Sequence, residues 1–543
     1  MMSYLVQHFL ENAAQRKPDK IALICGDQRL TYGQVNEQSD RLACRLEQSG
    51  VKRQDRVAIL LDNSVESVIA LFGVLKAGGI FIMLSATMKA RKLSYILSDS
   101  AACVLITHRG KTGDVLESVG HAGALENIIW VGAAPEQVKA APDRIRHLVW
   151  QNLPGDGAVV PPQAGRRSID RDLAAIIYTS GSTGEPKGVM CAHCNMVAAA
   201  ESITHYIENT ADDIIMNVLP LSFDYGLYQV LMAFLWGATV VLEKSFLFPV
   251  RILEMIQKER VTGFPIVPTM ATLLLQMENI GRFDLSSLRY ITNTAAVLPT
   301  VHIRKLRELF PAVKIFSMYG LTECKRVSWL PPDQLDTRPA SVGIPMCNEE
   351  VFIVDASGRE VARGQVGELV IRGANVMPGY WNAPEETAKR FKAGMYPGEF
   401  LLYSGDLFKQ DDEGFLYFIA RKDDMIKTRG ERVSPREIEA VLLEMEGVAD
   451  AAVVGLPDEV LGQAIKAFIV RNAKGDITEQ AVRKHCLGHL ESFMMPKYIE
   501  FTRDFPKNAS GKIDKKKLCQ SGRSGVSAAD TNKAGIFEIE GRR

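Results

Sequence analysis

The chain has 543 residues, of which 47% are hydrophobic and 24% are charged, and its formal net charge at pH 7 is zero. This length exceeds what one hydrophobic core supports, so we expect two or more domains in a protein of ordinary globular composition. The neutral balance argues against a polyanion-binding surface, and therefore against nucleic acid as a partner.

The N-terminal part of the sequence predicts neither a signal peptide nor a membrane span. Residues 1–12 lack a basic start and reach Glu11 early, which indicates a short amphipathic helix. The most apolar window, 65–84, contains two charged residues and is interrupted by Gly78-Gly79. It therefore predicts a helix, a turn and a buried strand rather than a transmembrane helix.

The nine cysteines are scattered along the chain. Cys191 and Cys194, with His193 between them, form a local group, but no second Cys/His pair stands at the spacing of a zinc site. We therefore expect free thiols and no structural metal. Free thiols without a signal peptide favour a cytoplasmic protein.

Between about residues 20 and 420, short apolar strands alternate with helical stretches. Strands are predicted at 56–61, 102–107 and 174–178, and near Val351 the pattern becomes strand-dominated, with glycine-rich turns. This rhythm predicts an α/β fold, in which a large N-terminal domain of helix-covered β-sheets carries a β-rich subdomain.

The pattern changes again after Arg421. A helix with a serine cap and proline at its first position is predicted over 434–443, and strands are predicted at 451–455 and 467–470. These elements indicate a small α+β C-terminal domain. The polar, Ser/Gly/Ala-rich stretch from Cys519 is expected to be disordered.

The segment Tyr178–Gly188 follows an apolar strand and is rich in glycine, serine and threonine, with one lysine. Glycines let backbone amides approach an anion closely, and hydroxyls add donors, so the segment predicts a phosphate-binding loop. It is not a Walker A loop, because Pro186 stands where that motif requires glycine and Gly188 where it requires serine or threonine. The alternative is a flexible surface turn.

Further motifs follow this loop in a fixed order. They are Met318–Glu323, Tyr403–Leu407, Ala420–Gly430 and Asn508–Ile513. Together the motifs resemble those of the adenylate-forming ligases, a superfamily of acyl-CoA synthetases, nonribosomal peptide synthetase adenylation domains and luciferases. The resemblance covers residues 1–518 and is strongest to free-standing amino-acid carrier-protein ligases of the prolyl type and to acyl-CoA ligases. It implies that a carboxylate is joined to AMP and the acyl group is then passed to a thiol.

The resemblance also implies a role for each motif residue. ATP is expected to be bound by Thr179, Ser180, Gly181, Ser182, Thr183, Gly184, Lys187, Tyr319, Asp406 and Arg421. Thr322 is expected to contact the α-phosphate, Glu323 to hold Mg²⁺, and Lys512 to bridge the carboxylate and the α-phosphate. Fixed cations and donors of this kind stabilise a crowded, highly charged transition state. Taken singly, Tyr319 could instead be a core aromatic, Asp406 a turn former and Lys512 a surface charge.

In this superfamily the C-terminal domain rotates after adenylation, so that one site runs two reactions with different walls. The resemblance implies an N-terminal ATP- and acid-binding domain at 1–420, a hinge at 421–425, a mobile C-terminal domain at 426–518 and a disordered tail at 519–543. Asp423 resembles the hinge residue. Lys427, Gly430 and Arg432 are expected to replace Lys512 and shape the thiol tunnel. Ala420 departs from the usual glycine at the start of the hinge motif.

Asp224 is the main clue to the acid. In amino-acid-activating members, a Phe-Asp pair at this place binds the substrate's amino group, and Phe223-Asp224 matches it. A carboxylate beside Tyr225 and Tyr228 is costly to desolvate without a cation, which a substrate ammonium would supply. The alternative is that Asp224 or Ser222 simply caps the following helix.

The other pocket residues implied by the resemblance are Pro265, Asn293, Met318, Arg326 and Val327. Arg326 could meet a polar substrate or face solvent. The leading prediction is a small amino acid such as proline, loaded onto the phosphopantetheine thiol of a separate carrier protein. The alternative is an acyl-CoA synthetase for a small organic or fatty acid, with CoA as acceptor. A luciferase-like oxygenase and a non-catalytic binding protein are more distant alternatives. No membrane partner is expected.

Overall fold

The computed structural model of the protein describes residues 3–136, 141–152, 168–180, 185–294, 298–422, 424–428, 431–458, 460–472, 477–507 and 513–524. The chain divides into two compact units. Unit 1 comprises 1–404 and 409–417, and unit 2 comprises 405–408 and 418–543.

Unit 1 alternates strands and helices over most of its length. Its elements, in chain order, are α1 (His8–Arg16), β1 (Ile21–Cys25), β2 (Gln28–Thr31), α2 (Tyr32–Gln48), β3 (Arg56–Leu60), α3 (Val65–Lys76), β4 (Ile80–Leu84), α4 (Ala90–Asp99), β5 (Val104–His108), α5 (Thr112–Ser118), β6 (Asn127–Val131), β7 (Arg146–Val149), β8 (Leu173–Ser180), β9 (Pro186–Ala192), α6 (His193–Ile207), β10 (Ile214–Asn217), α7 (Asp224–Trp236), β11 (Thr239–Leu242), α8 (Pro249–Glu259), β12 (Gly263–Ile266), α9 (Pro268–Leu275), β13 (Tyr290–Asn293), α10 (Thr300–Leu309), β14 (Lys314–Tyr319), β15 (Ser328–Leu330), β16 (Ile344–Pro345), β17 (Glu349–Val354), β18 (Gly367–Gly373), β19 (Gly379–Tyr380), α11 (Pro384–Arg390) and β20 (Phe391–Ala393). Strands β21 (Phe400–Gln410) and β22 (Leu416–Arg421) contribute residues to both units.

Two large sheets form the body of unit 1. One has the strand order β19-β9-β8-β4-β3-β5-β6-β7, and the other has the order β16-β15-β14-β13-β12-β10-β11-β1-β2. The central pairs of both sheets are parallel, as in β3 with β4 and β13 with β14. Parallel strands with helical crossovers are buried on both faces, which agrees with the apolar sequences of β4 and β11. The α/β fold predicted from the alternating pattern is confirmed.

The apolar window at 65–84 folds as the helix, turn and buried strand that the sequence predicts, namely α3 and β4. Both elements are almost completely buried. Within the part of the chain that the structure describes, no helix combines the length and the apolar character that crossing a membrane requires.

A smaller sheet follows in the region where the sequence becomes strand-dominated. Its strand order is β17-β18-β21-β20. Strands β17 and β18 pair antiparallel along their length, and β20 pairs with residues 400–402 of β21. The predicted β-rich subdomain is therefore present.

Unit 2 is an α+β domain. Its remaining elements are β23 (Ile426–Thr428), β24 (Glu431–Val433), α12 (Pro435–Glu444), β25 (Val448–Asp458), β26 (Gly462–Arg471), α13 (Glu479–His489), β27 (Tyr498–Thr502) and α14 (Lys515–Ser524). Its sheet has the order β24-β23-β26-β25, with β27 parallel to β26. Side chains of β25 alternate between two cores. Ala451 and Val453 pack with α12 and α13, whereas Ala452 and Val454 pack with Leu518 of α14.

Two local details of unit 2 differ from the sequence-based expectation. Ser434 stands at the N-cap of α12, but its hydroxyl donates to the carbonyl of Ile419 at 2.7 Å instead of capping the helix. Helix α14 continues to Ser524, past the predicted start of the tail at 519, because Leu518 and Cys519 pack against the sheet. The rest of the predicted tail, 525–543, lies outside the described residues.

Candidate active site

Strands β8 and β9 form an antiparallel hairpin whose tip is the predicted phosphate loop. Their pairing extends to Ser180 opposite Pro186, so both arms lead directly to the tip. Gly188 is required by packing, because a Cβ there would lie 2.6 Å from Cγ2 of Ile176. The predicted ligands Gly181, Ser182, Thr183 and Gly184, and the side chain of Ser180, lie outside the described residues.

Lys187, the lysine of this loop, lies in a charged network on the arm of the hairpin. Its ammonium forms an ion pair with Glu386 of α11, which also pairs with Lys389. Hydrogen bonds from these two lysines lower the pKa of Glu386 to about 2. Lys187 Nζ also lies 5.9 Å from the ring centroid of Tyr380. A phosphate at the loop would therefore compete with Glu386 for this lysine.

Tyr380 connects the loop lysine to the predicted metal ligand. Its hydroxyl donates a hydrogen bond to Glu323 Oε1, and Arg390 Nη2 lies 3.8 Å from the same oxygen. Burial, and then the Glu323 charge, raise the pKa of Tyr380, so the phenol keeps its proton. Tyr380 was not among the predicted site residues. The only local signal is the run Met-Pro-Gly-Tyr-Trp ending at Trp381, in which two aromatic residues follow a Pro-Gly turn signal.

Strand β14 ends at Tyr319, and Thr322 and Glu323 lie in the short segment that follows it. A single carboxylate oxygen ligand of this kind fits Mg²⁺, which takes few protein ligands and completes its shell with phosphates and water. The structure thus places Tyr319, Thr322 and Glu323 on one short segment, beside the Tyr380 that also contacts Lys187.

The predicted ribose contacts lie together in unit 2. Arg421 Nε donates to Asp406 Oδ1 at 3.1 Å. The predicted thiol-tunnel residues Lys427 and Arg432 face each other across the β23–β24 pair. Asp423, Gly430, Lys512 and the side chain of Arg432 lie outside the described residues, so their predicted roles stay predictions.

The predicted acid pocket lies at the carboxyl edge of the second large sheet. Ile266 pairs with Asn293, and Asn293 with Ser317, so the adjoining Pro265 and Met318 reach the same edge. In open α/β sheets this edge is where ligands bind. Tyr225, in the first turn of α7, donates its hydroxyl to the carbonyl of Thr292 at 2.8 Å. The first turn of α7 therefore packs against this edge.

Asp224 meets a cation supplied by the chain itself. Lys325 Nζ lies 3.3 Å from Asp224 Oδ2 and 4.1 Å from the ring centroid of Tyr228. Burial lowers the pKa of Lys325 to about 7, with Asp224 acting in the opposite direction and Arg326 in the same direction. Asp224 therefore does not need a substrate ammonium to neutralise its charge, because Lys325 provides the cation.

The capping alternative for this region is not realised either. Helix α7 begins at Asp224 with Phe223 at the N-cap, and no side chain makes a capping hydrogen bond there. Asp224 still lies in the first turn, where the helix dipole favours a negative charge. The pairing of Lys325 with Asp224 could not be predicted from sequence, because the two residues belong to different strand–helix units.

A sharp reversal after β14 brings Lys325 and Arg326 back to the strand end. Gly320 permits this turn, because a Cβ at that position would lie 2.4 Å from the carbonyl oxygen of Lys325. The Val327 amide then donates to the carbonyl of Tyr319 at 2.9 Å. Arg326 is only 2% exposed, and its guanidinium carbon lies 5.4 Å from the ring centroid of Tyr225. Arg326 therefore does not face solvent.

Comparison with known proteins gives the same assignment over both units. Residues 10–381 match the AMP-binding enzyme family, and residues 437–512 match the AMP-binding enzyme C-terminal domain. The long-chain-fatty-acid–CoA ligase of Bacillus subtilis (strain 168) is 30% identical, with 95% of this chain and 94% of that protein covered. Gramicidin S synthase 2 of Brevibacillus brevis is also 30% identical, over 97% of this chain but 11% of that protein. A crystal structure of the anthranilate CoA ligase AuaEII in complex with anthranoyl-AMP superposes with a TM-score of 0.87 at 27% identity, covering 96% of this chain and 98% of that one.

Proposed function

The chain belongs to the AMP-binding enzymes and is an AMP-forming ligase, and we propose that it activates an acid without an amino group and passes the acyl group to the thiol of CoA. The observation that carries the adenylation step is the contact of Tyr380 with both Lys187 and Glu323. A cation available to the phosphates and a carboxylate available to Mg²⁺ therefore lie on either side of Tyr380, which is hydrogen-bonded to the carboxylate. Such preorganised charge is the main contribution a protein makes to this type of reaction.

The chain's own residues divide the work of the first step. Lys187 and the hydroxyls of the hairpin tip bind the terminal phosphates, Thr322 donates to the α-phosphate, and Glu323 orients the nucleotide. Glu323 would hold Mg²⁺ with the bound nucleotide, and the ion would then neutralise phosphate charge. Tyr380, which keeps its proton, fixes the Glu323 carboxylate by a hydrogen bond. Asp406, oriented by Arg421, accepts the ribose hydroxyls.

The identity of the acid depends on the Asp224–Lys325 pair. An α-amino acid would need Asp224 for its ammonium, but Lys325 already occupies that side of the carboxylate at 3.3 Å. Two ammonium groups at one carboxylate repel each other in a buried site. The pair thus favours the acyl-CoA synthetase function over amino-acid loading. CoA as acceptor agrees with the match to an acyl-CoA ligase, which covers 95% of this chain and 94% of that protein.

Amino-acid loading onto a carrier protein is the second candidate. It is favoured by the match to gramicidin S synthase 2 and by the pKa of Lys325, about 7, which lets this lysine lose its proton near neutral pH. A neutral Lys325 could release Asp224 to a substrate ammonium. The two candidates are therefore distinguished by matched acids that differ only in the amine.

Pyrophosphate–ATP exchange with such acids tests the proposal. We expect cyclopentanecarboxylate to support at least about tenfold more exchange than proline, and cyclohexanecarboxylate more than pipecolate, since a buried like-charge contact costs more than about 1.4 kcal/mol. Adding CoA or a pantetheinylated carrier protein then identifies the acceptor. Preference for proline would overturn the acid assignment, whereas exchange with no acid in the panel would overturn adenylation itself.

A further prediction concerns Glu386, which competes with nucleotide phosphates for Lys187. Replacing Glu386 by glutamine should lower the KM for ATP by about twofold to fivefold, a small effect because the pair is partly exposed. The turnover number should change little. Glu385→Gln, a neighbouring exposed residue of α11, is the matched control. An increased KM for Glu386→Gln would mean that Glu386 positions Lys187 instead of competing for it.

A further inference from the structure

Arg326 is a buried guanidinium for which the described part of unit 1 provides no carboxylate within ion-pair distance. Its Nε atom is buried and has no hydrogen-bond partner among the described residues. Its neighbour Tyr206 is no anion, because burial raises the pKa of that phenol to about 12, although Arg326 acts in the opposite direction. Leaving a buried guanidinium without an anion destabilises a fold by several kcal/mol. We therefore expect a negatively charged ligand to bind the buried guanidinium of Arg326.

The charges around Arg326 do not balance. Lys325 and Arg326 are consecutive basic residues, and Asp224 is the one carboxylate that the described residues bring within ion-pair distance of either. Glu349 accepts a hydrogen bond from Asn375 Nδ2 at 2.6 Å and forms no ion pair with Lys325 or Arg326 among the described residues. Two basic side chains therefore share one carboxylate.

Two buried donors at the carboxyl edge of the sheet lack a hydrogen-bond partner among the described residues, namely Arg326 Nε and the hydroxyl of Tyr228. Arg326 is one of the charged groups that act on Tyr228. Tyr225 and Tyr228, three residues apart on α7, carry the two cations on their ring faces. Buried donors of this kind are normally satisfied, so their common need is an acceptor, and the two cations favour a negative one.

We propose that the acid activated by this enzyme is a dicarboxylic acid, and that Lys325, Arg326 and the Tyr228 hydroxyl bind the carboxylate that does not react. This proposal rests on the function proposed above and names its substrate class. The turn at Gly320 brings the backbone of Lys325 against the strand end that carries Tyr319. Binding of the second carboxylate also orients the acid for attack on the α-phosphate.

The test compares free diacids with their monomethyl esters in pyrophosphate–ATP exchange by the full-length protein. Succinate, glutarate and phthalate are each paired with the monoester, which keeps the reacting carboxylate and removes the second charge. We expect kcat/KM at least about 30-fold higher for the best diacid than for its monoester, in line with losing a charge-assisted contact to a buried cation. Arg326→Leu should lower kcat/KM for the diacid by about 100-fold and for the monoester by no more than a few-fold.

Controls separate binding from folding. Arg326→Lys keeps the charge and should recover part of the diacid preference, and Arg304→Leu, an exposed arginine of α10, should change nothing. As a readout without turnover, the diacid should raise the melting temperature of the wild type and not that of Arg326→Leu. If Arg326→Leu fails to fold, Arg326→Lys and the paired substrates still decide the question.

The outcomes distinguish this proposal from the function on which it rests. Exchange with monoacids or monoesters equal to that with diacids would overturn the dicarboxylate proposal and leave adenylation intact. Preference for a carboxylic acid bearing a phosphonate or sulfonate over every diacid would also overturn it. Exchange with no acid would instead overturn the proposed function.

Discussion

Replacing Lys512 by alanine is expected to slow formation of the acyl-adenylate by about 100-fold or more, while a supplied acyl-adenylate still reacts with the thiol within a few-fold of wild type. We propose that the two half-reactions use different walls of one site. In this proposal Lys512 bridges the attacking carboxylate and the α-phosphate during adenylation, and the segment around Lys427 replaces it for thioester formation.

The measurement is pyrophosphate–ATP exchange for the first step and thioester formation from synthetic acyl-adenylate for the second. Lys517→Ala is the matched control, since Lys517 belongs to the same basic run but its side chain is 64% exposed and only 3.8 Å from Asp514. Lys427→Ala is expected to behave in the opposite way, with normal exchange and slow thioester formation. Equal loss of both steps in Lys512→Ala would show that this lysine stabilises the C-terminal domain and is not specific to adenylation.

The fold could be predicted from sequence wherever a local pattern of apolar and turn residues allows one secondary structure. The window at 65–84 is a helix, a turn and a strand in both the prediction and the structure, because its glycine pair and its length leave no other regular solution. The apolar strand that leads into the phosphate loop was also predicted from sequence, but its hairpin partner β9 was not. The boundary between the two units was harder to predict from sequence. Residues 405–408 group with unit 2, although the residues of β21 on either side of them belong to unit 1.

The candidate site was accessible only in its motif residues. Tyr319, Glu323 and Lys187 stand in motifs that carry their meaning locally. Their partners do not, because Tyr380 and Glu386 reach them from a later part of the chain. Pairing between distant residues depends on tertiary packing, which periodicity and composition do not encode.

Lys325 is the clearest example, and its pairing with Asp224 changes the substrate class that we propose. From sequence, Asp224 needed an external cation, so an amine-bearing substrate was the natural inference. The structure supplies that cation from within, at 3.3 Å. It then leaves Arg326 as the charge that needs a partner. One pair of residues thereby moves the expected substrate from an amino acid to an acid with an additional negative group.

The second large effect expected is on stability, and its sign is unusual. Lys325→Met should make the substrate-free protein more stable than wild type at pH 6, by about 2 kcal/mol, and this difference should vanish and then reverse in sign towards pH 9.5, because the wild type gains about 1.4 kcal/mol per pH unit above pH 7. Methionine fills a similar volume without a charge. Part of this gain in the free energy of unfolding is lost again, because the variant also lacks the ion pair with Asp224, whose side chain is 23% exposed.

The pH dependence follows from the pKa of Lys325. In the folded protein it is about 7, lowered by burial, against about 10.4 for a lysine in an unfolded chain. Below pH 7 both states are protonated, and the folded state bears the full free-energy cost of the buried charge. Between pH 7 and about 10.4 the unfolded state binds more protons, so the stability of the wild type rises with pH. The methionine variant lacks this rise. The groups facing Lys325 in this range are Asp224, Tyr228, Cys191 and Arg326.

Urea unfolding at pH 6, 7.5 and 9.5 measures the effect, with Asp224→Asn and the double variant Asp224→Asn/Lys325→Met completing a cycle. Asp224→Asn alone should be the least stable at pH 6, because it leaves the buried ammonium without its carboxylate. A variant that is more stable yet loses exchange activity with diacids would identify Lys325 as a residue retained for substrate binding at the expense of the fold. A destabilised Lys325→Met with an unchanged pH profile would instead make the pair a structural contact, and the argument for a dicarboxylic substrate would then depend on Arg326 alone.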